Sequence, residues 1–227
     1  MKNNENLSKK SFFVGLSMGS NSANETGVAV MDKDFKIITL DKLHSMSDIS
    51  HYFDIMASKN DSVISISIPE NPTMINGKWK LMSRAYQFMR SNEHLLNNDK
   101  WADRFSTRGC DCFNSLKEQG VEIFRYDLYD LKTFLGLNSL YKDRTPADCK
   151  HLQSFLKYQF NLDDLPSNLL PVSQLEAILG AYLSYVICHG KENVDYRKKF
   201  EFKGVDVIGL TKIRSMTNNN QNELICF

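Results

Sequence analysis

Apolar and polar positions alternate over residues 11–19, SFFVGLSMG. Phe12, Val14, Leu16 and Met18 share one face and Phe13, Gly15, Ser17 and Gly19 the other, which is the period of a strand. The polar loop SNSANE leads into a second apolar run over 26–31, and Asp32-Lys33-Asp34 turns the chain into a third over 35–40. Short connections between these runs predict an antiparallel meander. The period then changes. Ser47 stands as an N-cap before Ile49, Phe53 and Met56 at helical spacing, with a polar stop near Lys59-Asn60-Asp61. Next, SVISISIPENP places Ile64, Ile66 and Ile68 on one face and Val63, Ser65 and Ser67 on the other, ending at Pro69. A strand reached through a helix is expected to lie parallel to its sheet neighbour.

Beyond Pro72, Trp79, Met82, Tyr86 and Met89 predict a helical insertion near 78–100. A helix over 112–118 closed by Gly120 leads into a strand over 121–126, and Thr145-Pro146 carries the N-cap and first-turn signals of another helix. Over 172–188, Leu175, Ile178, Leu179, Tyr182, Leu183 and Val186 form an apolar stripe. Ala177, Gly180, Ala181 and Ser184 form a small-residue strip beside it, suited to close approach to a sheet. The expected fold is α/β: a central mixed sheet of five strands, three in an antiparallel meander and two parallel, flanked by helices. One domain over 11–213 is expected, with flexible tails at 1–10 and 214–227; 227 residues suffice for a single core.

Composition narrows the function classes. Hydrophobic residues at 42% and charged residues at 24% are those of an ordinary globular chain. A net charge of +1 lacks the basic excess of a protein that neutralises many phosphates, so tight non-specific nucleic-acid binding is not indicated. The basic clusters at 142–150 and 196–199 read as solvated faces. Five scattered cysteines fit reduced thiols better than a disulfide framework. Cys110-x-Cys112 lacks the two-residue gap of zinc knuckles, and neither Cys149 with His151 nor Cys188 with His189 has metal-ligand spacing. No run approaches the ~18 apolar residues of a membrane span. The start MKNNENLSKK is too polar, and the apolar run after it too short, for a signal peptide, so a cytoplasmic protein without membrane association is expected.

The order of elements is that of RNase H-like folds, and four phrases resemble one family, the uncharacterised domain-of-unknown-function proteins described as predicted RNase H-like nucleases. Its first strand reads apolar-Gly-apolar-Asp, its fourth Ile-Asp-x-Pro, its fifth opens Glu-x-[Tyr/Phe], and a late helix carries Leu-Asp-Ala. The matching phrases are Val14-Gly15-Leu16-Ser17, Ile66-Ser67-Ile68-Pro69, Glu122-Ile123-Phe124 and Leu175-Glu176-Ala177. Thr26-Gly27, residues 71–77 and Tyr141-Lys142 extend the similarity over most of the chain. The resemblance implies a metal-dependent phosphodiester hydrolase acting on nucleic acid, in which carboxylates hold Mg²⁺ or Mn²⁺.

The departures carry more weight than the matches. Ser17 and Ser67 stand where the pattern implies aspartate, and the topology would set them side by side at adjacent strand ends. Glu122 keeps its carboxylate and Glu176 replaces aspartate, so Glu122 and Glu176 are the remaining candidate catalytic and metal residues. Two carboxylates suit a loosely held ion better than a two-ion mechanism. Glu70, Glu25 and Asp32 are the nearby acids, each awkwardly placed to compensate. Plainer roles compete: Ser173-x-x-Glu176 is a capping-box pattern, Glu122 a strand-edge charge, and Ser17 and Ser67 small residues under the helix strip. Two functions follow, a nuclease with weakened or lost activity, or a non-catalytic binding or scaffolding module of the same fold. A third option is a small anionic ligand held by backbone N–H groups of SNSANETG.

Overall fold

The computed structural model describes residues 10–19, 24–56, 61–67, 99–126, 128, 131–132, 135–137, 141, 144–189, 194–202 and 205–212, with backbone alone for 99–107 and for the last two segments. The expected insertion up to residue 98, the 68–77 phrase with Glu70, Lys142, Cys226 and most of both tails lie outside the described residues.

The meander forms as β1 (Phe12–Ser17), β2 (Thr26–Asp32) and β3 (Ile37–Leu43), with β1 antiparallel to β2 and β2 to β3. β4 (Ser62–Ser67) lies parallel to β1, and β5 (Glu122–Tyr126) parallel to β4. The sheet does not stop at these five strands. β6 (Val194–Phe202) and β7 (Val205–Lys212) pair antiparallel, and β7 joins β5 in parallel, giving the order β3-β2-β1-β4-β5-β7-β6. The YRKK cluster at 196–199, read from sequence as a solvated charge run, therefore belongs to the outermost strand, whose residues alternate apolar and charged.

Helices cover both faces. α1 (Met46–Ile55) and α2 (Asp99–Glu118) share one core with Val14, Leu16, Val28, Ile64, Ile66 and Ile123. α3 (Pro146–Gln159) and α4 (Val172–His189) share the other with Phe13, Ala29, Met31, Val63 and Tyr126. The alternation expected of β1 and β4 is therefore the division between two cores, and it assigns Ser17, Ser65 and Ser67 to the α4 side.

Several ends differ from expectation for local reasons. Ser45, not Ser47, caps α1: its side chain accepts from the Asp48 N–H while the Asp48 carboxylate accepts from the Ser45 N–H. Phe35 lies in the turn, because the Asp32 carboxylate accepts from the N–H groups of Asp34 and Lys36 and delays β3 to Ile37. α2 begins at Asp99, well before residue 112, and ends as expected at Glu118, closed by Gly120, whose φ of 80° suits glycine. Thr145 and Pro146 open α3 as expected, the threonine side chain accepting from the Asp148 N–H.

Candidate functional site

Three parallel strands end together. Ser17 of β1 is in register with Ser67 of β4, and Ser67 with Tyr126 of β5. In open α/β sheets the carboxyl ends of parallel strands are where ligands bind. This end is closed, since Ser17, Ser67 and Tyr126 are all buried. The helix above it is α4, which can approach because the sheet presents no side chain beneath it at Gly15 and Gly27. A Cβ on Gly15 would lie 1.8 Å from the Ala177 carbonyl oxygen, and one on Gly27 2.0 Å from that of Ser173. Farther along, Ser184 donates to the Val14 carbonyl at 3.0 Å and shares a hydrogen bond of 2.7 Å with Ser65. The small-residue strip of α4 thus packs on the sheet as its spacing predicted.

The approach carries Glu176 down onto the strand ends. Ser17 Oγ donates to Glu176 Oε2 at 2.9 Å, Arg144 Nη2 donates to the same oxygen at 3.2 Å, and Lys132 Nζ stands 3.9 Å from Oε1. Glu176 is almost wholly enclosed, with a side-chain exposure of 3%, against 13% for Lys132 and 51% for Arg144. The capping-box role for Glu176 does not survive. Ser173 is already inside α4, where the Pro171 carbonyl accepts from the Gln174 and Leu175 N–H groups, and the Ser173 hydroxyl donates to Glu25 Oε1.

Arg144 is placed by the start of α3. Its N–H donates to Asp148 Oδ2 at 3.0 Å, and its φ of 63° turns the chain in a left-handed conformation that an arginine rarely adopts. Sequence reasoning had placed it in the 142–150 charge run; the signal for its role was its position immediately before the Thr145 cap. Lys132 left no signal at all. Cys149 borders the cluster, but burial, then the charges of Asp148 and Glu176, push its thiol up against the opposing Lys132 and Arg144, so it is not poised as a thiolate nucleophile. Cys112 and Cys188 are each pushed up to about 12, chiefly by burial, as suits reduced core thiols.

Glu122 is not part of this cluster. It begins β5, paired with Val63, whereas Tyr126 ends the strand beside Ser67. Four residues of strand put it ~13 Å from the row of strand ends. Its charge is felt instead by Cys188, near the last turn of α4. The two candidate carboxylates thus lie apart, Glu176 over the carboxyl ends of the parallel strands and Glu122 at the opposite end of β5.

Magnesium or manganese does not fit the side chains gathered here. Oε2 of Glu176 already serves Ser17 and Arg144, Oε1 faces Lys132, and the aligned positions are a serine, a serine and a tyrosine. Among the described residues a divalent ion would meet the Glu176 carboxylate and two competing cations, with the buried Asp148 carboxylate already accepting from the Arg144 N–H, where it needs several available anionic oxygens. Among the described residues no group of three His, Cys, Asp or Glu side chains is arranged to hold a metal. Comparison with protein-family models, curated proteins and solved structures returned no match. No helix among the described residues is long and apolar enough to cross a membrane.

Glu25 supplies a pH-dependent tie between the meander and α4. Burial raises its carboxyl, but the Ser173 hydroxyl and the Lys42 ammonium, 2.9 Å away, outweigh it and hold the carboxyl below its ordinary value. A lowered folded value stabilises the fold above the unfolded carboxyl value of about 4.3, and that contribution fades as pH falls through the folded value. Denaturation of wild type against Glu25→Gln should therefore show a stability difference at pH 7 that shrinks on acidification below about pH 4. A difference independent of pH would show that only packing was lost.

Proposed function

We propose that this chain is an RNase H-like protein, descended from metal-dependent phosphodiester hydrolases, whose nuclease activity has been lost and which acts as a non-catalytic binding module. The strand order β3-β2-β1-β4-β5 and the helix laid across β1 support the fold assignment. One observation carries the functional reading: the hydroxyl of Ser17 donates to Glu176, whose carboxylate is also engaged by Arg144 and Lys132. The place where such a nuclease would gather acids around ions is occupied by a carboxylate already compensated by the chain's own cations. Nucleic acid is the partner class the descent implies, and the half-exposed guanidinium of Arg144 is the group at this end suited to a phosphate oxygen.

The test is a calorimetric Mn²⁺ titration beside cleavage assays on single-stranded, duplex, hybrid and branched substrates. Wild type is expected neither to bind Mn²⁺ at micromolar concentration nor to cleave. A Ser17→Asp/Ser67→Asp variant, with three carboxylates at the strand ends, is expected to gain metal affinity. Mn²⁺-dependent cleavage by wild type that disappears in Glu176→Ala would overturn the proposal.

A further inference from the structure

A concavity lies along the same helix, about 10–20 Å beyond Glu176 toward its C-terminus. It holds about 680 Å³ between the β2–β3 turn, the segment after α3 and the last turns of α4. That volume falls in the range of pockets that enclose a whole small ligand. Its walls are aromatic. The Phe160 ring stacks on Tyr182 with centroids 4.2 Å apart, the His189 ring stacks on Tyr185 at 4.5 Å, and Phe35 meets both tyrosines edge-on at 5.7 and 5.1 Å.

Two wall positions are held in unusual backbone conformations. Phe35 has φ 65° and Asn161 φ 53°, a region that costs a side-chain-bearing residue free energy. The Asp32-anchored turn presents the Phe35 ring to the cavity. The charged lining is one-sided: Asp34, Asp163 and Asp164 against Lys36, a formal −2 with His189 neutral. Asp163 and Asp164 are exposed at the rim. The C-terminal end of α4, the negative end of its dipole, lies at His189 on the same wall.

These features agree in sign. Aromatic faces attract cations through their quadrupoles, and of these rings Phe35, Tyr185 and His189 keep exposed surface while Phe160 and Tyr182 are buried behind them; carboxylates attract cations by charge, and a helix C-terminus favours them. The same three repel a phosphate or carboxylate ligand, so this wall is not an extension of a nucleic-acid surface. We propose that the cavity is a binding site for a small organic cation, a substituted ammonium ion carried on an apolar body. The volume favours a free molecule over one lysyl side chain of a peptide, which would leave most of it unfilled. The proposal is independent of the reading of the Glu176 cluster, because no residue is shared between them.

The test titrates the full chain, observed by NMR, with benzyltrimethylammonium, with choline, and with the neutral isostere of choline in which carbon replaces the ammonium nitrogen. Saturable shifts of the Tyr182, Tyr185 and His189 ring protons are expected with both cations. Choline should bind ~3- to 30-fold more tightly than its isostere, the span of one cation–π contact with electrostatic help. Asp163→Asn/Asp164→Asn, at exposed positions, should weaken both cations ~3- to 10-fold without moving the melting temperature. Tyr185→Leu should weaken benzyltrimethylammonium comparably. Equal binding of choline and its isostere, absence of saturation, or indifference to both variants would overturn the proposal. A trimethyllysine peptide binding far more tightly than free trimethyllysine would overturn the assignment to a free molecule.

Discussion

Replacing Gly15 with alanine is expected to unfold the chain or to remove at least ~3 kcal/mol of stability, a large share of the ~5–15 kcal/mol typical of a domain. The added carbon would lie 1.8 Å from the Ala177 oxygen, 2.3 Å from the Ala181 nitrogen and 2.8 Å from the Gly180 carbon. All three are backbone atoms, so no side-chain rotation relieves the contact. α4 would have to lift off β1, against the hydrogen bonds of Ser184 to Val14 and Ser65 and that of Ser17 to Glu176. Gly120→Ala is the contrast. There the added carbon meets nothing within 4 Å, and the cost is only that of placing a side chain at φ 80°, about 1–2 kcal/mol. Chemical denaturation of both variants decides the matter: a Gly15→Ala stability within about 1 kcal/mol of wild type would mean that α4 does not rest on the β1 backbone.

The same contact explains what could be read in advance. Gly15 and the strip Ala177, Gly180, Ala181 and Ser184 stand out in the sequence because local spacing governs which side chains share a face. The pairing of Ser17 with Ser67 was implied by the resemblance, whose topology makes β1 and β4 parallel neighbours, and the two residues are partners in the observed register. Glu122 misled because a phrase match conveys order along the chain but not which end of a strand is in use. Its place at the start of β5 depends on how far that strand is shifted against β4. Arg144 and Lys132 were not singled out because their roles exist only in three dimensions: 32 residues separate Arg144 from its partner Glu176, and no periodicity records that approach. β6 and β7 were legible but passed over: Val194, Tyr196, Phe200 and Phe202 alternate with Asp195, Arg197, Lys199 and Glu201, yet the YRKK cluster reads first as a charge run, and β7 is a short, mostly apolar segment beside it.

Glu176→Ala is expected to lower stability by ~2–3 kcal/mol, the loss for a buried ion pair deprived of one partner, discounted because Arg144 is half exposed. Lys132, largely covered, loses its anion, and Ser17 loses its acceptor. Glu176→Gln should fall between the two, since an amide oxygen still accepts from Ser17 but neutralises neither cation. The sign of the change separates two roles for this residue. A carboxylate kept to hold metal stands among other acids and repels them when no metal is bound, so its removal in metal-free buffer raises stability. A carboxylate held by Ser17, Arg144 and Lys132 is attracted by its surroundings, so its removal lowers stability. Acetate sharpens the distinction. In Glu176→Ala the space between the two cations and the Ser17 hydroxyl suits a small carboxylate, and acetate at ten times its dissociation constant should restore about 1.4 kcal/mol while leaving wild type unchanged. A Glu176→Ala protein more stable than wild type in chelator, and indifferent to acetate, would instead identify this glutamate as the remnant of a metal centre.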